Sequence, residues 1–263
     1  MGKTVFGMIA PHPPVIVPEI GGKRAKGAEN TKKALESVCK DLKKADPDVI
    51  IIITPHGEVS QSTVHIYASP VFDGDFGNFG FQKLSYHVKG DEGLAIRIKK
   101  EADSAGSLCA LIPETNLDHG ILVPYHYVSA AGIKKPVLPI AISLSSLKEL
   151  FVFGKSIKNA VEKSDKKIAI IASADMSHRL TPDAPAGFSA KGKIFDDKLV
   201  ALVKAGDVDG IIDFDPYLAE EAGQDALWSI AILLGAVEGA GLKQKVLSYE
   251  GPFGVGYMVS EYA

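Results

Sequence analysis

What this 263-residue sequence has little of already excludes several classes of protein. It contains only two cysteines, Cys39 and Cys109, whose spacing fits neither a disulfide framework nor a zinc ribbon. Its longest apolar run, from Ile230 to Val237, is far too short to cross a bilayer. The first residues lead directly into a strand-like run, without the pattern of a secretory signal. We therefore expect a cytoplasmic protein with reduced cysteines and no membrane association.

The sequence also lacks a strong excess of charge of one sign. Lysine and arginine number 29 against 32 aspartates and glutamates, which leaves a net charge of −3 at pH 7. This balance argues against a nucleic-acid-binding surface. There is no linker rich in glycine, proline or serine, no internal repeat and no low-complexity stretch, so we expect one domain over residues 1–263.

Strand-like and helical patterns alternate along the chain. Strand-like apolar runs cover about residues 3–10, 47–54, 62–70, 107–112, 136–143, 167–174, 244–250 and 255–260. Helical spacing of apolar residues covers 26–45, 92–104, 122–132, 146–163, 188–205 and 217–238. This order predicts an α/β fold with a central mixed, largely parallel sheet flanked by helices on both faces. Residues 62–70 and 81–89 instead suggest a local β excursion or a mobile loop.

Two of the apolar runs end in the same dipeptide, Pro-His. His12 follows the first run, and His56 follows the continuous Val49–Thr54 run. Such a Val/Ile run is typical of a buried parallel strand, and open α/β sheets bind ligands beyond the carboxyl ends of these strands. Two imidazoles brought to the same edge of a sheet predict a metal centre, because neutral imidazole is a good ligand for Fe(II), Zn(II) and related ions.

A third run ends in the polar segment Ser173-Ala-Asp-Met-Ser-His178. These residues are too polar to continue a buried strand, so we interpret them as its exit into a cleft, with His178 facing the site. The alternative is that Asp175 or Ser177 caps a helix and that His178 is solvated.

A further histidine, His119, stands between Asp118 and Gly120. Asp118 has the position of the N-cap of a helix that starts near Gly120. His119 would then lie at a helix N-terminus, where the helix dipole lowers the pKa of the imidazole and keeps it neutral. Such a ring can donate a hydrogen bond to a substrate oxygen. We interpret His126, two turns later, as a packing or supporting residue.

The third metal ligand must be a carboxylate, a thiolate or another histidine. Asp225 is the last charged residue before the apolar stretch Ala226–Ala236, and a buried charge there needs a partner. The alternative is an ordinary acid near a helix N-terminus. Glu220 and Glu221 fit the first turn of the predicted helix without any special role. Glu250 is a weaker competitor.

Together these segments resemble the catalytic subunits of the class III extradiol ring-cleavage dioxygenases and their non-dioxygenase relatives, the MEMO proteins. The resemblance runs the full length of the chain and rests on Ala10–Pro14, Thr54–Gly57, Leu117–Gly120 with Val123–Tyr125, Ser173–His178, and the helix from Glu221 that continues into Ile232–Ala236. In the dioxygenases two histidines and a glutamate hold Fe(II). The resemblance therefore implies His12 and His56 as ligands and places the third ligand at Asp225, where MEMO-like members have a nearby cysteine.

The resemblance implies an Fe(II)-dependent dioxygenase that cleaves a small catechol-like or aminophenol-like ring with O2. His178 is then the candidate general acid/base, and His119 the candidate hydrogen-bond donor to substrate oxygen or dioxygen. Because aspartate replaces glutamate, an alternative is a MEMO-like protein that binds zinc, copper or iron without ring cleavage and has a redox or partner-binding role. A zinc hydrolase is a third option. Relatives of this type often associate, so a homo-oligomer is also an expectation.

Overall fold

Strands and helices alternate along most of the chain, and the computed structural model describes all 263 residues. The strands are β1 (Lys3–Ala10), β2 (Val49–Thr54), β3 (Val64–Tyr67), β4 (Val71–Phe76), β5 (Phe81–Lys89), β6 (Cys109–Ile112), β7 (Val137–Ala141), β8 (Lys167–Ser173), β9 (Gln244–Glu250) and β10 (Tyr257–Tyr262). The α-helices are α1 (Pro18–Gly21), α2 (Glu29–Ala45), α3 (Glu92–Ser104), α4 (His119–Ala130), α5 (Leu147–Glu162), α6 (Ala190–Ala205), α7 (Val208–Ile212), α8 (Pro216–Ala222) and α9 (Ala226–Val237).

The main sheet has eight strands in the order β6-β3-β7-β2-β8-β1-β10-β9. Its four central strands, β7, β2, β8 and β1, run parallel to one another. On one side β3 runs antiparallel to β7, and on the other β10 runs antiparallel to β1 and β9 antiparallel to β10. The predicted mixed, largely parallel sheet is therefore confirmed.

Helices cover both faces of this sheet because its central strands are apolar on both faces. All six residues of β2 are buried. Ile51 and Ile53 pack in one apolar layer with α3, α5 and α9, whereas Ile50 and Ile52 pack in the opposite layer with α2 and α4. Successive side chains of a strand point to opposite faces, so an unbroken isoleucine run requires a helical layer on each side.

The region between β2 and β6 differs from the prediction. The expectation that 62–70 and 81–89 together form a local excursion is wrong for the first segment, because β3 lies within the main sheet between β6 and β7. The separate hairpin is made by β4 and β5. Phe72 and Phe76 are buried, and Gly74 lies so close to helix α4 that an added Cβ would be 2.9 Å from Leu122. The glycine and acids of β4 suggested a turn, but its apolar face packs inward.

The predicted helix 217–238 consists of two helices, α8 and α9. The chain leaves α8 at Gly223, whose φ of +59° is in the left-handed region that favours glycine. The side chain of Gln224 then caps α9 by accepting a hydrogen bond of 2.8 Å from the backbone N–H of Leu227. Glu220 and Glu221 lie at the C-terminal end of α8, so their predicted position in a first turn is wrong.

Helix α9 packs unusually close to α5 through two glycines. A Cβ added to Gly235 would lie 2.1 Å from the carbonyl oxygen of Phe151, and one added to Gly154 would lie 2.2 Å from that of Ile232. These contacts fix the position of α9 relative to the sheet. Although α9 is almost wholly apolar, it has 12 residues, and no helix of this protein has both the length and the apolar composition to span a membrane.

Candidate metal centre

Three central strands deliver polar side chains to one edge of the sheet. His12 follows β1, His56 follows β2, and Asp175 and His178 follow β8, which lies between β1 and β2. These strands are parallel, so their carboxyl ends meet at the same edge. The proline before each histidine prevents the strand from continuing its hydrogen-bonded ladder. The sequence pattern therefore brings both Pro-His turns to a common location.

The side chains of His12, His56 and Asp225 converge. The Nε2 atoms of His12 and His56 are 3.0 Å apart. One carboxylate oxygen of Asp225 lies 3.4 Å from Nε2 of His12 and 3.9 Å from Nε2 of His56. Ligands bound to one ion at about 2.1 Å are separated by roughly 3.0–3.5 Å from each other. The separations of His12 from His56 and from Asp225 fall in this range, whereas that between His56 and Asp225 is longer. The geometry thus brings together the three residues predicted as ligands of a divalent transition-metal ion.

Asp225 occupies the N-cap position of α9 but does not cap it, because Gln224 does so instead. One of its carboxylate oxygens accepts a hydrogen bond of 2.8 Å from the backbone N–H of Asp175, and the other faces the histidines. Burial alone would raise the pKa of Asp225, but the charge of His12 and a hydrogen bond to it lower the pKa below its ordinary value. An acid that merely stands at the start of a helix would have neither the hydrogen bond from Asp175 nor the contact with His12.

The tautomer of His12 is set by Ser173. The hydroxyl of Ser173 donates its only hydrogen to the carbonyl oxygen of Gly120, and its oxygen lies 2.9 Å from Nδ1 of His12. Ser173 must therefore accept the second hydrogen bond, which places the imidazole proton on Nδ1. The lone pair of neutral His12 is then on Nε2, the atom that faces His56 and Asp225.

Asp175 belongs to this cluster, although the sequence suggested only a strand exit or a helix cap. It caps no helix, since α6 begins as late as Ala190. Its carboxylate accepts a hydrogen bond of 2.9 Å from the backbone N–H of His12 and lies 3.9 Å from Nε2 of that residue. Burial raises the pKa of Asp175. A signal for it existed, because Asp175 follows the end of β8 at the same two-residue distance as His12 and His56 follow their strands.

The two facing histidines have opposite electrostatic environments. Burial acts to lower the pKa of His12, but the charges of Asp175 and Asp225 outweigh it and raise the pKa to about 9. Burial lowers the pKa of His56 to about 4, and repulsion from His12 and His119 adds to this effect. Without a metal, His12 is therefore protonated at neutral pH and can donate from Nε2 to the neutral His56.

His119 is the first residue of α4, and Asp118 is its N-cap, as predicted. Asp118 accepts hydrogen bonds from the backbone of Gly120 and from the hydroxyl of Thr54, which ties the start of α4 to the end of β2. The ring of His119 lies 4.2 Å from the ring of His56. Burial, followed by repulsion from His12, lowers the pKa of His119 to about 4, so the ring is neutral. The lowered pKa agrees with the prediction of a neutral ring, but its main cause is burial and not the helix dipole.

His119 is close enough to the other histidines to compete with Asp225. Ring nitrogens of His12, His56 and His119 all lie within 4.8 Å of one another. The sequence left open a histidine as the third ligand, and His119 is the candidate for that role. Glu250, another candidate for the third ligand, lies elsewhere. Its carboxylate accepts hydrogen bonds from Thr31 and Asn30 and so connects β9 to α2.

His178 lies on the wall of the same cavity and is partly buried. Its Nδ1 is 3.1 Å from the carbonyl oxygen of Met176, which can only accept a hydrogen bond. The neutral ring therefore carries its proton on Nδ1 and has a free lone pair on Nε2. This arrangement suits a residue that takes up a proton.

The histidines open into a cavity of about 820 Å³. Phe79, at the tip of the β4–β5 hairpin, lines it, and its ring lies 5.5 Å from the ring of His119. Tyr257 of β10 and Arg24 line other parts of the wall. The volume and the aromatic lining suit a small planar ligand.

The fold and this donor set define an α/β protein with a candidate divalent-metal site in an aromatic-lined cavity. Residues 7–260 match the family model described as the catalytic LigB subunit of aromatic ring-opening dioxygenase. The chain therefore belongs to this family, and the resemblance to the class III extradiol dioxygenases is confirmed.

Individual relatives have different degrees of similarity. Protein CA_C1420 of Clostridium acetobutylicum is 35% identical over 95% of this chain, which spans only 56% of that protein. The 2-aminophenol 1,6-dioxygenase beta subunit of a Pseudomonas species is 25% identical, over 84% of this chain and 81% of its own length. The 3,4-dihydroxyphenylacetate 2,3-dioxygenase of Escherichia coli is also 25% identical, over 89% and 90%.

One solved structure has a similar fold. The crystal structure of the uncharacterized protein JW3007 from Escherichia coli K12 matches with a TM-score of 0.68 and 13% identity. The match covers 98% of this chain and all of the other.

Proposed function

We propose that this protein is an Fe(II)-dependent dioxygenase that opens a small catechol-like or aminophenol-like ring with O2. The observation that carries the proposal is the convergence of His12 and His56, which line the cavity, with Asp225, their donor atoms being 3.0–3.9 Å apart. The names of two relatives, which denote an aminophenol dioxygenase and a dihydroxyphenylacetate dioxygenase, support this substrate class.

His12, His56 and Asp225 would hold an iron ion through two imidazoles and one carboxylate, a ligand set that would leave room for a substrate and for dioxygen. Bound Fe(II) supplies the path by which electron density passes from the ring to dioxygen. Ser173 keeps the lone pair of His12 on the atom that faces the ion, and Asp175 holds both the backbone of His12 and, through its own N–H, the carboxylate of Asp225. The chain thus orients the ligands through neighbours that are themselves fixed.

His178 and His119 have complementary roles in the proposal. Nε2 of His178 has a free lone pair, so it accepts the proton that a ring hydroxyl must lose, and it returns a proton later in the reaction. His119 is neutral and faces the same cavity, so it donates a hydrogen bond to an oxygen of the substrate or of dioxygen. Phe79, on the hairpin formed by β4 and β5, lines the same cavity and offers an aromatic face to a bound ring.

Anaerobic loading with Fe(II), followed by measurement of O2 uptake with a panel of catechols and aminophenols, tests the proposal. We expect uptake with at least one ring and its loss in His12→Ala and His56→Ala. His87→Ala is the matched control, since His87 is an exposed histidine on the hairpin that pairs only with Asp73. A protein fully loaded with iron that consumes no O2 would contradict the proposal.

A second candidate is a MEMO-like metal-binding protein without ring cleavage. Two observations favour it: aspartate replaces the glutamate of the dioxygenases, and three imidazoles stand close enough for the His₃ set typical of zinc sites. Elemental analysis of protein purified without added metal separates the two. Bound iron supports the dioxygenase, and tightly held zinc or copper supports the second candidate.

A further inference from the structure

Arg24 is a cation without a partner on the wall of the cavity. It lies in the turn before α2, and its guanidinium is 5.9 Å from the centre of the Phe253 ring. It has no ion pair and no hydrogen bond with any residue of the chain, whereas many of the other lysines and arginines have one. Lys23 and Lys26, on either side, are exposed. A planar guanidinium resting on an aromatic ring is pre-organised to bind a carboxylate through two parallel hydrogen bonds.

Tyr257 provides a second free donor in the same cavity. The residue is buried and lines the cavity, yet its hydroxyl has no hydrogen-bond partner in the protein. Burial raises the pKa of Tyr257, the charge of Asp175 raises it further, and the charge of Arg24 lowers it. Asp175, which is part of the metal cluster, and Arg24 are thus both close enough for their charges to act on the phenol. The hydroxyl is not among the fully buried polar atoms that lack a partner, so it is accessible from the cavity and can donate a hydrogen bond to a ligand there.

From these two free donors we infer that the ring bound in the cavity carries an anionic substituent, such as a carboxylate, which Arg24 and Tyr257 bind. This inference rests on the proposed function, because it assumes that the ring itself lies at the histidines. It narrows the substrate class from small aromatic diols or aminophenols to those with an acidic side group. Arg24 and Tyr257 are then specificity-determining residues.

Two acids line the cavity and argue for the opposite charge preference. Asp175 is buried and accepts a hydrogen bond from the backbone of His12, which leaves Asp183 as the free acid. It is exposed, lies in the segment between β8 and α6, and has no ion pair. It offers a single acid at the solvent side, whereas Arg24 has a stacked ring beneath it and a second donor beside it. We therefore favour an anionic ligand and treat a cationic one as an outcome of the test.

The test compares three catechols that differ only in the charge of the side group. These are 3-(3,4-dihydroxyphenyl)propionate, the neutral 4-propylcatechol and the cationic 4-(2-aminoethyl)catechol. Binding to the Fe(II)-loaded protein is measured by calorimetry without O2, so the result does not depend on turnover. We expect the propionate to bind roughly three- to tenfold more tightly than propylcatechol, as for a partly exposed charge-assisted hydrogen bond.

Variants of Arg24 and Tyr257 test whether these residues cause the preference for the propionate. Arg24→Met and Tyr257→Phe are each expected to reduce the affinity ratio of propionate to propylcatechol, and Arg24→Met to bring it close to one. Lys26→Met is the matched control, because this neighbouring cation does not line the cavity, and it is expected to keep the ratio. Since Arg24 is exposed, its replacement leaves the core intact.

The possible outcomes distinguish failure of this inference from failure of the proposed function. Equal binding of propionate and propylcatechol would overturn the inference while leaving the proposed function standing. Tightest binding of the amine would overturn it in favour of recognition by Asp183. Failure of all three catechols to bind the loaded protein would contradict the proposed function, and the inference would fall with it.

Discussion

Metal binding by this protein should be strongly pH-dependent, because a proton occupies the metal-binding nitrogen of His12. The carboxylates of Asp175 and Asp225 raise the pKa of His12 to about 9. The pKa is raised, so the proton is bound at neutral pH and competes with the metal until the pH passes the pKa. At pH 7 the difference of two pH units weakens binding by about 100-fold, or roughly 3 kcal/mol. His56, with a pKa of about 4, adds nothing in this range.

The assay is a titration of the metal-free protein with zinc at several pH values, in competition with a chelator of known affinity. Between pH 6.5 and 8.5 we expect the affinity to rise about tenfold per pH unit. Calorimetry in buffers of different ionisation enthalpy should show about one proton released per ion near pH 7.5. An affinity that stays flat over this range, after correction for the chelator, would refute the reasoning.

Asp175→Asn is the matched control. Asparagine has a similar shape and can still accept the hydrogen bond from the backbone of His12, but it lacks the charge that raises the pKa most. The variant keeps all three proposed ligands and should show a smaller pH slope and fewer released protons. A proton released by another group of the centre would be released in both the unmodified protein and the variant. The difference between their pH slopes therefore reports on His12. Identical slopes would show that another group holds the proton.

Substitutions at four further positions test other parts of the structure. Asp225→Asn should weaken metal binding more than tenfold, and Asp225→Glu should weaken it less, as measured by chelator competition. Ser173→Ala should reduce metal affinity by about 10–100-fold, because His12 loses the acceptor that sets its tautomer; unchanged affinity would contradict this role. His178→Gln should lower kcat for O2 uptake by about 10²–10⁴-fold at unchanged iron content. Gly235→Ala should destabilise the fold by about 1–3 kcal/mol in urea unfolding, with Gly93→Ala as the exposed helical control.

The parts of the site that local patterns encode could be predicted from the sequence. A run such as Val49–Thr54 indicates a buried strand by itself, and the rule for parallel sheets then places His12 and His56 at one edge. Asp225 could be singled out because it is the last charge before a long apolar stretch. These inferences need only the order of elements and the direction of the strands.

The rest depends on information that is not local. The order of strands decides that β8 lies between β1 and β2, and so that Asp175 joins the histidines; no periodicity reveals this order. The break between α8 and α9 was missed because the apolar pattern runs across it, although Gly223 was the available signal. Arg24 and Tyr257 are far apart in sequence, and only tertiary packing places both on the wall of one cavity.

The position of β1 has a consequence for how a cell must assemble the centre. This first strand pairs on both sides with strands from the second half of the chain, and His12 is 163 residues from Asp175 in sequence. During synthesis the early imidazoles leave the ribosome long before the acids that face them. The proposed ligands can meet only after Asp225, which directly precedes α9, has been made and has packed against the histidines. With the proposed ligand set, metal loading would therefore follow synthesis of the chain.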